Sequence, residues 1–261
     1  MKIALWQTHP QTQTERALEA LSEAAKMVAG QGADMLVTPE MYLGGYNIGA
    51  EQIATHARQS GQVLDGIQSI AREHGIAIVA GLALPGHPRP YNACVAIDGA
   101  GQEIARCHKT HLFGEVDRAQ FTAGQSIPPV FDLNGWKAAL AICYDVEFPE
   151  LVRAHALHGA DLIVCPTANM VPFDSVAARL VPARAEENAV YLAYCNYTGS
   201  EDAFTYNGLS CVCGPDGEDI VRGAGAETML WAELDQSVLK HARQRQTHLA
   251  DRRPDIYGDL T

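Results

Sequence analysis

The chain has 261 residues, 47% of them hydrophobic, enough to bury a large core, and with no compositional break residues 1–261 read as one domain. Nineteen Lys and Arg against 31 Asp and Glu give a formal net charge of −12. That balance excludes nucleic acid and anionic membrane as partners and leaves a small molecule.

"KIALWQ" at 2–7 is a short strand, and polar His9 to Gln13 follow too soon for a secretion signal. Ala17, Leu18, Leu21, Ala24, Ala25 and Val28 then fall at helical spacing, with Thr12 and Glu15 as a capping box and Gly30 as the stop. "GADMLVTPE" at 32–40 is a strand ending at Glu40. The glycine-rich "LGGYNIG" after it lacks the Lys-Ser/Thr ending of a phosphate loop, so it reads as a pocket rim. "IAIVAGLAL" is continuously apolar, which calls for burial on both faces. "YNACVAIDGAGQEI" at 91–104 is a strand pair turning through "DGAGQE", and the second strand closes at Lys109. His108 and His111 flank that lysine but lack a third ligand, and no metal is assigned.

The plan then repeats. "KAALAIC" at 137–143 is a strand ending at Cys143, and Pro149 and Glu150 suit the first turn of a helix. "GADLIVCPT" at 159–167 matches "GADMLVTPE", and "YNGLSCVCGPDGEDI" at 206–220 matches "YNACVAIDGAGQEI". Two matched pairs in the same order imply an internal pseudo-repeat. Buried strands with helices between them predict two sheets packed face to face under outer helices, a four-layer α-β-β-α sandwich. No run approaches the roughly 20 apolar residues of a membrane span. Seven cysteines, an odd number with no C-x-x-C pair and mostly in apolar runs, suit a reducing cytoplasm.

Reactive groups in α/β sheets gather beyond the carboxyl ends of strands. Glu40, Lys109 and Cys143 stand at three such ends. Taken singly, each has a plainer reading: a solvated turn acid, a surface lysine, an inert core thiol. Together they supply base, fixed cation and nucleophile. Asp145, Glu147 and Glu150 follow Cys143 closely, and their charge opposes a resting thiolate.

Five motifs in order resemble the nitrilase, or carbon-nitrogen hydrolase, superfamily: "TPEMYLGGY", "HKTHLFGEVDR", "ICYDVEFPE", "ARAEENAVY" and "DRRPDIY". The resemblance implies the four-layer sandwich and a catalytic set of Glu40, Lys109 and Cys143 that works without a cofactor. It implies that Glu40 takes the thiol proton at the moment of attack, and that Lys109 and the backbone N–H of Tyr144 stabilise the oxyanion. A fourth carboxylate is expected seven residues before Gly124, which is Asp117, one methylene shorter than the family's usual Glu; Glu115 is the alternative. Tyr144, Glu147 and Asn169 are assigned to the oxyanion and substrate-binding side of the site.

"CYDVEFPE" is similar to the short amidase branch, and "HLFGEVDR" leans toward its bacterial stereoselective amidases. The expected reaction is hydrolysis of a small carboxamide to acid and ammonia through a thioester. A nitrilase acting on C≡N is the runner-up, and a silent scaffold of the same fold is disfavoured by the intact set. At Glu147 the ω-amidase-like branch commonly has Arg, so neutral or amine-bearing amides are expected over anionic ones, unless Glu147 turns away to pair with Arg153 or another arginine. The resemblance also implies a homodimer or higher homo-oligomer, packed through the helices after Cys143 and after Phe173, with the "DRRPDIY" tail crossing to the partner or packing on its own subunit.

Overall fold

In the computed structural model, which describes residues 1–257, the first half runs β1 (Lys2–Gln7), α1 (Thr14–Gly30), β2 (Met35–Val37), α2 (Ala50–His74) and β3 (Ala77–Leu84). A meander of β4 (Tyr91–Ile97) and β5 (Glu103–His108) leads to the short helix α3 (Gly114–Gln120). The second half runs β6 (Phe131–Leu133), β7 (Trp136–Leu140), α4 (Pro149–Leu157), β8 (Leu162–Pro166), α5 (Val181–Asn188) and β9 (Tyr191–Cys195). A hairpin of β10 (Thr198–Glu201) and β11 (Phe204–Asn207) interrupts it before β12 (Cys211–Cys213), β13 (Asp219–Arg222), β14 (Thr228–Glu233) and α6 (Gln236–Arg245).

Two six-stranded sheets form, in the orders β14-β1-β2-β3-β4-β5 and β13-β12-β9-β8-β7-β6. Each has three parallel strands at its centre, β1, β2 and β3 in one and β7, β8 and β9 in the other. One antiparallel strand flanks each trio on one side and two flank it on the other. The repeated sequences occupy matching places, β2 with β8 and the β4–β5 pair with β12–β13. Alternation along the strands sorts side chains into three apolar layers. Ile3, Leu5 and Val37 meet Leu140, Leu162 and Val164 between the sheets. Ala4, Leu36 and Ile78 pack beneath Leu21, Val28 and Ile67 of α1 and α2, while Ile163 and Cys165 pack beneath Val152 and Val181 of the α4–α5 side. Three apolar layers require four layers of backbone, and the fold is the α-β-β-α sandwich.

The capping box expected from Thr12 and Glu15 does not form. Helix α1 begins at Thr14, with Gln13 in the cap position and no side-chain cap bond, so Glu15 lies inside the first turn, where it favours the helix dipole. Gly30 is the last helical residue, and the chain reverses through Gly32 at φ 75°. Two glycines bear on the site. A Cβ on Gly81 would strike the backbone N of Met41 and approach the carbonyl of Pro39 to 2.8 Å, so only glycine lets the turn carrying Glu40 lie against β3. A Cβ on Gly124 would lie 2.5 Å from the carbonyl of His108, where Gly124 N–H bonds the carbonyl of Lys109 at 2.8 Å. Among the described residues, no helix is long and apolar enough to cross a membrane.

His155, on α4, is fully buried, and burial lowers its pKa to about 4 against the pull of Asp145. The folded chain therefore holds this imidazole neutral, while the unfolded chain protonates it near its ordinary 6.5. Stability is thus lost as pH falls from about 6.5 toward 4, by up to about 3 kcal/mol from this group. In His155→Leu, urea unfolding across that range should show a shallower acid limb, reduced by up to one proton; an unchanged slope would show that His155 does not control it.

Candidate active site

Strand ends from both sheets converge on one buried cluster. Glu40 sits three residues beyond β2, in a turn that Thr38 N–H ties to the carbonyl of Val79 at 3.0 Å and Glu40 N–H ties to the carbonyl of Thr167 in the other sheet at 3.2 Å. Its carboxylate is fully buried and divided in function. Oε1 accepts hydrogen bonds from Lys109 Nζ and from Asn92 Nδ2, each at 2.7 Å, whereas Oε2 has no partner. Lys109, directly after β5, is also fully buried, and its Nζ lies 2.7 Å from Asp117 Oδ2 as well as 2.7 Å from Glu40 Oε1. Burial opposes the ammonium, but the charges of Asp117 and Glu40 outweigh it and hold the pKa well above the usual lysine value. Burial, aided by Asp117, raises the pKa of Glu40, while Lys109 and Asn92 act against the rise.

Asp117 lies in the first turn of α3 and is buried, with all its capacity directed inward: Oδ2 accepts from Phe113 N–H at 2.8 Å and Oδ1 from Tyr46 Oη at 2.8 Å. Glu115, two residues earlier, is 91% exposed and bonds only Arg118 at 3.1 Å. Of the two candidates, Asp117 is the one that joins Lys109, and the start of α3 carries the shorter side chain close enough to do so.

Cys143 lies beyond β7 with φ at +48°, a left-handed backbone that turns the chain into a 3-10 segment, Cys143–Glu147. Burial and the proximity of Glu40 raise its pKa strongly, against Lys109 and the hydroxyl of Thr167. The thiol rests protonated. Over it lies a cavity walled by Tyr46, Phe113, Tyr144 and Phe173, with Glu147 and Asn169 as its polar members. Phe113 meets Tyr144 and Phe173 edge-on at 5.4 and 5.5 Å. The space left is about 10 Å³, room for about one water. Asn169 donates from Nδ2 to the carbonyl of Phe173 at 3.0 Å, which fixes one side of that wall.

The family described as carbon-nitrogen hydrolase matches residues 2–244. The chain belongs to the carbon-nitrogen hydrolase family. A hydrolase of Pseudomonas protegens, named for the region 5′ of pqqF, is 41% identical over 100% of this chain and 92% of its own. An (R)-stereoselective amidase of Pseudomonas is 33% identical over 87% of this chain and 82% of its own. The crystal structure of an amidase from Nesterenkonia superposes with a TM-score of 0.89 at 35% identity, covering 98% of this chain and 94% of that one. A variant of that amidase carries the acetamide moiety of fluoroacetamide covalently at its active-site cysteine.

In this carbon-nitrogen hydrolase, Glu147 does not turn away to Arg153. Glu147 lines the cavity, its carboxylate has no ion-pair partner among the described residues, and burial raises its pKa. Arg153 lies 4.0 Å from Glu187, and Arg184 also pairs with Glu187, at 3.1 Å, while bonding the backbone carbonyl of Glu147 at 2.8 Å. His108 and His111 diverge, one stacked on Tyr91 and the other on Phe148. Of "LGGYNIG", only Tyr46 lines the cavity, and the glycines do not; the N–H groups of Tyr46 and Asn47 are held by buried Glu201 at 3.0 and 2.7 Å.

Sequence reasoning missed Asn92, Tyr46, Glu201 and the role of Asp145. Asn92 had a signal, since the repeat places Asn207 at the equivalent position. Asp145 looked like a charge against the thiol but is a buried tie. It accepts from Thr110 Oγ1 at 2.6 Å, His111 N–H at 2.9 Å, His111 Nδ1 at 2.8 Å and Ile142 N–H at 3.2 Å, joining the segment after Lys109 to the one before Cys143. Asp145→Ala leaves those buried donors unpaired and should cost on the order of 3–5 kcal/mol in urea unfolding, with Asp145→Asn intermediate. A loss below about 1 kcal/mol in the Ala variant would show that the tie contributes little.

Proposed function

We propose that this hydrolase is an amidase that converts a small carboxamide to its carboxylic acid and ammonia through a thioester on Cys143, with no cofactor. The observation that carries the reading is the divided carboxylate of Glu40: one oxygen is anchored twice and the other is free beside a protonated thiol. In this reading Oε2 takes the thiol proton as sulfur attacks the carbonyl carbon. Lys109 and the backbone N–H of Tyr144 stabilise the oxyanion, and Asp117 keeps the lysine charged and in place. Glu40 returns the proton to the departing ammonia and then takes one from the water that releases the acid. The raised pKa of Glu40 suits it to both transfers.

We further propose that residues 1–261 form a single catalytic domain, acting in the cytoplasm as a homodimer. Seven free thiols favour a reducing compartment. Exposed Leu157 on α4, beside a groove that Arg153, Arg252 and Tyr257 also line, favours a partner on that face. Asp251, Arg252 and Tyr257 of the "DRRPDIY" tail line the same groove as α4, which favours a part for the tail at that interface.

Rapid quench after mixing with an amide should give one acyl adduct by intact mass, lost in Cys143→Ala, and Lys109→Ala should lose about 3 kcal/mol or more of transition-state stabilisation. An adduct on Cys107 or Cys165 would overturn the assignment, ammonia release from nitriles alone would make the protein a nitrilase, and release from neither class would leave a scaffold.

Selection by charge follows from Glu147. An unpaired carboxylate at the cavity wall of a chain with charge −12 repels anions and attracts cations. Propionamide and β-alaninamide should therefore exceed succinamate in kcat/KM by about tenfold or more at low salt, and the gap should narrow with salt and in Glu147→Gln. A preference for succinamate would remove Glu147 from substrate selection.

A further inference from the structure

A second cluster of reactive side chains lies on the far face of the second sheet. Val212 of β12 faces the core between the sheets, so its neighbours Cys211 and Cys213 face the opposite way, into the apolar layer beneath α4 and α5. Two thiols at i and i+2 on a strand normally stand well apart. Here the two sulfurs lie 3.9 Å from each other, and beside them the pairing register slips, with Ile220 as an extra residue on β13. The same shift sets Cys213 opposite Asp219 of β13, whose Oδ1 is 3.3 Å from the Cys213 sulfur. All three ligand atoms fall within 4.8 Å of one another.

Those spacings are near the edges of a metal tetrahedron. Zinc-sulfur bonds of about 2.3 Å and zinc-oxygen bonds of about 2.1 Å at the tetrahedral angle put sulfur about 3.8 Å from sulfur and about 3.6 Å from oxygen. The charges also close. Arg222 holds Asp219 through two bonds of 2.6 Å, so the carboxylate arrives already neutralised. Two thiolates added to that pair balance a divalent cation. Both thiols are fully buried, whereas Asp219 is exposed at the edge strand, so the carboxylate is the side from which an ion enters. None of these residues borders the cavity over Cys143. A disulfide is the poorer use of the pair, because residues i and i+2 of a strand stand about 6.6 Å apart at Cα, close to the longest spacing a disulfide spans.

We infer that Cys211, Cys213 and Asp219 form a site for one thiophilic divalent cation of the zinc or cadmium class, held at the β12–β13 edge and separate from the reacting thiol. Binding is an exchange without redox change: the cation forms two sulfur bonds and one oxygen bond, and the two thiol protons leave to solvent. Affinity therefore rises with pH, up to about a hundredfold per unit while both thiols are protonated.

The test uses the full chain carrying Cys143→Ala, so that the reacting thiol cannot report, titrated with cadmium chloride under reducing conditions. One equivalent should bind, with a near-ultraviolet thiolate-to-cadmium absorption band and a pH dependence of two protons. In the same background Cys213→Ser should abolish the band, and Asp219→Asn, an exposed change that spares the core, should weaken binding at least tenfold. Absence of stoichiometric binding to the Cys143→Ala protein would overturn the inference. So would a band that survives Cys213→Ser, which would place the ion elsewhere, for example at the cross-strand pair Cys94 and Cys107. Should Cys213→Ser fail to fold, unchanged affinity in Asp219→Asn would be sufficient to reject the site.

Discussion

A lysine ammonium held dry between two carboxylates is the constraint on which the rest of the site depends. Transferring such ions out of water costs several kcal/mol each, and close, well-oriented partners are needed to offset it. Lys109 has both at 2.7 Å, and each partner is itself fixed, Glu40 by Asn92 and Asp117 by Tyr46 and Phe113 N–H. Two carboxylates against one ammonium leave an excess negative charge in a buried place. Burial raises Glu40 toward protonation, and the charge of Asp117 adds to that rise. Removal of Lys109 would leave two carboxylates as uncompensated buried charge, whereas removal of either carboxylate would leave a single buried ion pair.

The thiol is governed by the same balance. Cys143 is not activated at rest, since burial and Glu40 both disfavour its thiolate. Asp145, the nearest acid in sequence, is occupied by hydrogen bonds from Thr110, His111 and Ile142, and those bonds set the relative position of the lysine and cysteine segments. Glu147 remains as the acid that lines the cavity without an ion-pair partner among the described residues. In the proposed mechanism, reactivity therefore comes from a base beside the sulfur at the moment of transfer and not from a stored thiolate.

The repeat explains why both sheets contribute. Glu40 and Thr167 are equivalent residues in the two copies of the GAD strand, and the N–H of the first bonds the carbonyl of the second across the sandwich. Packing the two halves face to face brings their strand ends together, so Glu40 and Lys109 come from one sheet and Cys143 from the other.

Periodicity and repetition in the sequence were sufficient for the four layers, because apolar strands buried on both faces admit few arrangements. Motif order was sufficient to bring Glu40, Lys109 and Cys143 forward, since three reactive groups at three strand ends are a chemical statement even before folding. What stayed illegible depends on contacts far apart in the chain. Asp117 over Glu115 was decided by where α3 starts, Glu147 over an arginine pair by Glu187 taking both Arg153 and Arg184, and Asp145 by donors more than 30 residues away. The capping box failed because a local pattern cannot register where the preceding loop delivers the chain. Local rules therefore determined which elements form and which groups are reactive, whereas the partners of each buried charge, and with them its protonation and its task, were set only when the two sheets closed on one another.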